Sequence, residues 1–360
     1  MVLEVWDFIL TLFIGTMNFF SLKILTTIFI VVSMMWMVNC SDENSPVAAR
    51  ESPKWQAINN GIGLLTVQSI AVDPNDNDHI IVGTLAGVYT TSDAGAAWDR
   101  IGQELESQDA KCVAIHPVVS AVLFVGTWGK GVFKSSDGGA RWQSAWPQQA
   151  DPRITALYFD SGSPAQLYAG TDNGLYRSGD QGASWTRIFD YGTITAVSVA
   201  PDNPRYLIIG VRLSGVFISE DGGENWSQSN TGLFESYDGY ASPNAIIHQP
   251  LDSSRIVIST GWVDLYQSEN LGKSWQHFAE PLTERHICSL AVDDDDPQKL
   301  WAASADYGLF RSTDGGKTWN EHNEGLETSQ LKCIVLVHDK ETIAYLGTVG
   351  KGIYKFVDKE

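Results

Sequence analysis

Seven tryptophans, Trp55, Trp98, Trp142, Trp185, Trp226, Trp275 and Trp319, recur at spacings of 43, 44, 43, 41, 49 and 44 residues. A near-constant period in this range marks a chain of repeats, each too small to bury its apolar surface without a neighbour. Six of the seven close the same octapeptide: TSDAGAAW (91–98), SSDGGARW (135–142), SGDQGASW (178–185), SEDGGENW (219–226), SENLGKSW (268–275) and STDGGKTW (312–319). The shared pattern is S/T-x-D/N-x-G-x-x-W, and six copies in register set the fold.

Between successive tryptophans the chain reads alike each time. An apolar strand (SIAVDP, CVAIHP, AVSVAP) leads to a turn of Asp, Asn and Pro, then to a second strand (IIVGT, LFVGT, LYAGT). A Gly-containing turn, a third strand (GVYTTS, GVFKSS) and a fourth beginning at the Trp complete the unit. Four short strands per unit, rich in Val, Ile and aromatics and punctuated by turn residues, predict β-propeller blades. No helical periodicity competes. The expected fold is all-β, a seven-bladed β-propeller of four-stranded antiparallel blades over 55–356, with a tail at 357–360. The seventh repeat lacks an outer strand, while Trp55-Gln56-Ala57-Ile58 is an outer strand without a blade. The N-terminal strand is therefore expected to complete the last blade and close the ring.

The octapeptide resembles the Asp-box, or BNR, repeat of the sialidase-like superfamily. Its Asp can accept hydrogen bonds from the backbone N–H groups that follow, and its Gly supplies positive φ. Asp93, Asp137, Asp180, Asp221 and Asp314 are thus expected to build turns rather than act in catalysis. Asn270 at the same place in the fifth repeat agrees, since an amide can hold a turn but cannot serve as a catalytic acid or base.

Residues 1–39 contain Glu4, Asp7 and Lys23 as their only charges, and Ile24–Val38 is an apolar run. A basic residue before such a run has the proportions of an export signal, with Met17 the better start. Cys40 follows directly and resembles a bacterial lipoprotein cleavage site, although Asn39 and Met37 depart from the usual residues. Lipidation of Cys40 is the expectation, with a plain secreted chain or an uncleaved anchor as alternatives. Each places the body outside the cytosol, in the cell envelope or beyond it, with 40–54 as a tether. Removing the leader changes the net charge only from −19 to −18. Such acidity without a basic stripe argues against nucleic acid as a partner.

Strands of a blade alternate in direction, so the octapeptides share one face with the first-to-second turns. The second-to-third turns and the loops entering each blade share the other face, where function is expected. That face receives Trp128, Lys130, Asp172, Asn173, Arg212, Trp262, Asp264, Asp306, Tyr307 and Lys351, with Arg153, Tyr191, Arg285 and His286 from entering loops. The fifth repeat stands apart. Its long entering loop, 232–243, holds Phe234, Glu235, Tyr237, Asp238 and Tyr240, and Asp264 replaces the Gly of other repeats at 87, 131, 174, 215, 308 and 352. Aromatic faces beside carboxylates suit a sugar ring or a peptide. Trp262, Asp264, Phe234, Tyr237 and Tyr240 form the expected contact surface, extended by Trp128, Arg212 and Tyr307.

Known Asp-box families set further expectations. Sialidases carry an arginine triad and an R-I-P motif, which this chain lacks. Xyloglucan-cleaving endoglucanases place their catalytic acids between two propellers, and their Gly-rich N-terminal motif is missing here. Sortilin-type receptors have ten blades and a Cys-rich module. The remaining resemblance is to exported seven-bladed propellers typified by the photosystem II stability/assembly factor family, which implies a non-enzymatic binding or assembly module for an envelope protein or glycan. The alternative is a glycoside hydrolase-like enzyme using two of Asp172, Asp238, Asp264 and Asp306. Cys112, Cys288 and Cys333 are expected to be free thiols. The acidic runs at 73–78 and 293–296 complete no calcium loop, so they are expected to be solvated turns. No metal or cofactor is expected.

Overall fold

The computed structural model describes residues 54–359 apart from 106–107, 147–151, 161, 237–238, 251, 261–263 and 279–281. The leader, Cys40, Tyr237, Asp238 and Trp262 lie outside the described residues. Seven four-stranded antiparallel sheets account for the fold. Blade one comprises Val67–Asp73, Asp76–Thr84, Gly87–Thr91 and Asp99–Ile101. Blades two to six repeat that order, beginning at Ala110–Ile115, Ile154–Phe159, Ile194–Ala200, Pro243–Gln249 and Ile287–Val292. The seventh joins Leu331–His338, Thr342–Thr348 and Ile353–Asp358 to Gln56–Ala57, with Gln56 opposite Lys355 and Ala57 opposite Tyr354. The first strands of successive blades lie side by side in a closed cycle.

Because each blade is covered on both faces by its neighbours, its second strand does not alternate in polarity. Leu123–Thr127, Leu167–Thr171 and Leu300–Ser304 are buried along their whole length, as continuous apolar runs require. The cores lie between blades. Phe124 and Val132 of blade two pack with Ile154, Leu167 and Trp185 of blade three, and Trp301 of blade six packs with Trp55, Leu331 and Phe356 of blade seven. The first strand of every blade carries a bulge just after its start, as between Val67 and Ser69 or Leu331 and Cys333. A bulge there adds the local twist that a strand crowded around a central axis needs.

The octapeptides form one repeated hydrogen-bonded turn. In the second, Ser135 Oγ donates to Asp137 Oδ1 at 2.9 Å and accepts from Gly139 N at 2.8 Å, while Asp137 Oδ1 accepts from Arg141 N at 2.9 Å. The set recurs around Asp93, Asp180, Asp221 and Asp314, and Asn270 makes it with its amide oxygen. These donors hold the carboxylates below their usual range. Asp221 falls to about 2, chiefly through the Asn225 backbone N–H, and Asp314 to about 2, chiefly through the Thr318 hydroxyl.

Most of these turns also stitch their blade to the preceding one. The indole Nε1 of Trp98 donates to Ile58 O, Trp185 to Ala145 O, Trp226 to Ile188 O and Trp275 to Ser229 O, at 2.7–2.8 Å. Trp55 closes the ring the same way, donating to His322 O at 3.0 Å. In each case the acceptor is the carbonyl three residues after the previous marker Trp. Trp142 and Trp319 donate instead to Gly139 O and Gly316 O of their own turns.

The two acidic runs are largely exposed turns, but the first residue of each departs from that expectation. Asp73 and Asp293 are buried, because each folds its carboxylate back onto the turn: Asp73 accepts from Asn75 N and meets His79 Nδ1 at 3.0 Å, and Asp293 accepts from Asp295 N and from the Thr342 hydroxyl. Ligand atoms of Asp293, Asp295 and His338 lie within 4.8 Å of one another, with His338 Nε2 already 3.0 Å from Asp295 Oδ2. Cys112, Cys288 and Cys333 are free, and burial pushes the Cys112 thiol up to about 12. Among the described residues no helix is long and apolar enough to cross a membrane.

Candidate functional site

The face opposite the octapeptides is built on one backbone bond. The first residue after the second strand donates its N–H to the carbonyl just before the first strand of the same blade: Leu85 to Thr66, Trp128 to Asp109, Asp172 to Arg153, Arg212 to Thr193 and Ala305 to His286. This bond fixes each second-to-third turn against its entering loop. The residues displayed there are free to differ from blade to blade.

They differ by exposing apolar surface. Leu64, Leu85, Trp128, Tyr191, Leu213, Phe234 and Tyr307 are each between 44% and 62% exposed and all lie on this face, whereas Val118 and Val119 lie on the octapeptide face. Two of the aromatics carry an arginine. Arg153 sits 5.1 Å from the centre of the Trp128 ring, and Arg285 sits 4.7 Å from that of Tyr307. A guanidinium over an aromatic ring fixes the ring's tilt while leaving polar N–H groups at its edge.

Blade six presents the densest chemistry. His286 Nδ1 lies 2.7 Å from Asp306 Oδ2, and the Asp306 side chain is half exposed. The loop that delivers His286 is strained, with Glu284 at φ +60° and His286 at φ +48°. Non-glycine residues seldom adopt that region, and such strain collects at functional sites. The turn opposite is held by Ser304 Oγ, which accepts from Asp306 N and Tyr307 N at 3.2 and 3.0 Å.

Blade five differs from its sequence-based picture. Asp264 takes the register of the repeat's Gly, with its carbonyl accepting from Thr260 Oγ1 at 2.8 Å, as Gly87 O accepts from Thr84. Its carboxylate, however, faces the outer strand, where Oδ2 meets His277 Nε2 at 3.0 Å and Oδ1 is buried without a hydrogen-bond partner. His277 stands two residues after its Trp, where Arg100, Arg187 and Gln228 also reach across to their own turns. That shared position is the sequence signal for this pair, although His277 lies on an outer strand rather than in a turn of the candidate face. Phe234 is exposed, and its backbone bonds the buried Tyr266 hydroxyl. Glu235 and Tyr240 are cross-strand neighbours in a two-residue ribbon, where the carboxylate pushes the Tyr240 hydroxyl up. Asp172, Asp264 and Asp306 thus stand on blades three, five and six. Asp264 is turned to the rim, whereas Asp306 faces His286 of the entering loop.

Comparison with known proteins places this architecture. A family model described as sortilin, neurotensin receptor 3, matches residues 214–355. The structure of YCF48 from Cyanidioschyzon merolae superposes with a TM-score of 0.63 at 18% identity, over 84% of this chain and 98% of that one. The chloroplastic photosystem II stability/assembly factor of Arabidopsis thaliana is 24% identical over 265 residues, 72% of this chain and 57% of its own. In fold, the chain resembles the photosystem II stability/assembly factors. A probable oligoxyloglucan-reducing end-specific xyloglucanase of Neosartorya fischeri is 23% identical over 310 residues, 76% of this chain. The chain spans 36% of that relative's length. This last match corrects the expectation of a non-enzymatic binding or assembly module, because the similarity to a glycoside hydrolase runs through three-quarters of the chain. The lean away from an enzyme is not supported.

Proposed function

We propose that the chain is a glycoside hydrolase-like propeller acting on a β-glucan of the xyloglucan type, on the face opposite the octapeptide turns. The observation that carries this reading is Asp306: an exposed carboxylate oriented by His286, whose ring also meets Tyr307, on the face that displays the exposed aromatics. Similarity to the xyloglucanase supports that choice of substrate class. Aromatic rings stack on pyranose faces, and a glycosidic bond is cleaved by two carboxylates about 5–9.5 Å apart. Asp306 is assigned as one of the two; Asp172, three blades away around the ring, and Asp264, turned to the rim, are not assigned as its partner. Trp128 and Tyr307 are assigned as stacking surfaces.

Release of reducing ends from xyloglucan, with carboxymethylcellulose as comparison, tests the reading. Asp306→Asn is expected to lower kcat by about 10²–10⁴-fold with the fold unchanged. An inactive wild type, or an Asp306→Asn variant of full activity, sinks the assignment. Export fits a polysaccharide substrate, and attachment through a lipid on Cys40 is the corresponding proposal for the leader. Labelling with a radioactive fatty acid that persists in Cys40→Ala would refute it.

A further inference from the structure

At four junctions the residue three places after a marker tryptophan fills the space beneath the next blade's octapeptide. Ile58, Ile101, Ile188 and Phe278 lie under Gly95, Gly139, Gly223 and Gly316 so closely that a Cβ on those glycines would come within 2.0–2.8 Å of them. Ser229 is small, but its hydroxyl donates to Gly272 O and so occupies the corresponding junction. At the junction of blades two and three the residue is Ala145, and a Cβ on Gly182 would stand 3.0 Å from the Phe124 ring and 3.4 Å from Ala145. With the small Ala145 in its wall, a half-open cavity of about 350 Å³ lies at this junction.

The walls of this cavity are polar on one side and aromatic on the other. Lys134, Ser136, Gln143, Ser144 and Gln181 line it together with Trp146. Lys134 Nζ donates to Gln181 O at 3.0 Å, which orients the ammonium without using all of its donors. Gln181 adopts φ +56°, a position held by glycine in three other octapeptides, and its amide is steadied by His116 Nε2 at 3.1 Å. Trp146 is fixed by ring contacts with Tyr176 at 5.0 Å and Trp185 at 5.2 Å. Two primary amides, two hydroxyls and one ammonium facing a rigid indole match the alternating donors, acceptors and apolar face of a pyranose. No carboxylate lines the cavity to repel or replace hydroxyl groups.

We propose that this cavity is a saccharide-binding pocket for one or two pyranose units, separate from the reacting face. It lies on the rim, between the outer strand of blade two and the octapeptide of blade three. A site there would hold a glycan without competing for the face that bears Asp306. It requires no activity at that face and uses none of its residues.

Cellobiose binding to the full chain, followed by saturation-transfer NMR and by tryptophan fluorescence, tests the pocket. Ala145→Ile restores the residue of the other junctions and is expected to abolish binding, with circular dichroism and thermal unfolding showing that the ring is intact. Lys134→Met, which removes one charge-assisted hydrogen bond, is expected to weaken binding about tenfold or more. Asp306→Asn should leave binding at the pocket unchanged. Wild-type protein that binds no cellobiose, or an Ala145→Ile variant that binds it equally well, overturns the proposal. Binding lost in Asp306→Asn but kept in Ala145→Ile would put the sugar on the opposite face, refuting the pocket while leaving the proposed activity standing.

Discussion

The two faces of the ring solve different problems with the same strands. On one face, six turns repeat the same hydrogen bonds around an Asp or Asn, and most of their tryptophans reach back to a carbonyl of the preceding blade. On the other, only the backbone bond between turn and entering loop recurs, and the side chains change from Leu85 to Trp128 to Asp172 to Arg212. The repeated face is the fold's fastening, and the varied face is free to carry chemistry. A substitution should therefore cost stability on the first and activity on the second.

The largest effect expected on the fastening side comes from Trp55, the residue that closes the ring. It is 2% exposed, packs edge-on to Trp301 at 6.2 Å and against Phe356 at 5.3 Å, and holds His322 O. Trp55→Ala should cost about 3–5 kcal/mol in urea unfolding. Trp226→Ala, at a less buried copy of the same motif, should cost less. If the two variants unfold alike, closure adds nothing to an ordinary blade junction, and the contrast between a closing and an internal blade disappears.

Blade five breaks the rule of the two faces, and that exception can be measured. Asp264 belongs to the varied face by position, yet its carboxylate is 9% exposed and relies on His277. His277→Ala leaves a buried carboxylate with neither oxygen paired and should cost about 1–3 kcal/mol. Adding Asp264→Gly, the residue of the other repeats, should recover most of that loss. A double variant no more stable than His277→Ala would show that the turn needs Asp264 for something other than this pair.

Legibility in the sequence followed the same division. The blade count, the closing strand and the Asp turns were readable because they repeat, and a repeat averages away local exceptions. The varied face was readable only as a roster of positions. Sequence placed Asp306 and His286 there but could not pair them, because the 2.7 Å contact depends on a left-handed backbone at a non-glycine residue. It placed Asp264 there and missed its orientation, because His277 lies on an outer strand. The burial of Asp73 and Asp293 is hidden for a similar reason: a run of acids looks exposed until one of them turns back onto nearby N–H groups of its own turn. Ala145 carries no sequence signal of its own, since an alanine stands out only beside the isoleucines at equivalent junctions in space.

The smallest effect expected is a pH dependence that distinguishes one blade from its copies. Asp221 and Asp314 titrate near 2 in the folded chain because backbone and side-chain donors favour the charged form, and Asp93, Asp137 and Asp180 are lowered in the same direction. In the unfolded chain a carboxyl titrates near 3.9. The folded state therefore binds fewer protons than the unfolded state as pH falls through this window. Stability contributed by these turns is fully present above about pH 4 and is lost towards pH 2. The carboxylates are exposed, so salt and solvent keep each contribution small. Asn270 makes the same turn without a titrating group, so Asp221→Asn should remove one proton's share of the acid sensitivity while holding the turn. Thermal unfolding between pH 2 and pH 6 should show a shallower acid slope for that variant. An unchanged slope would mean that acid acts through other carboxylates, such as the buried Asp73 and Asp293, whose pKa values are also lowered in the fold.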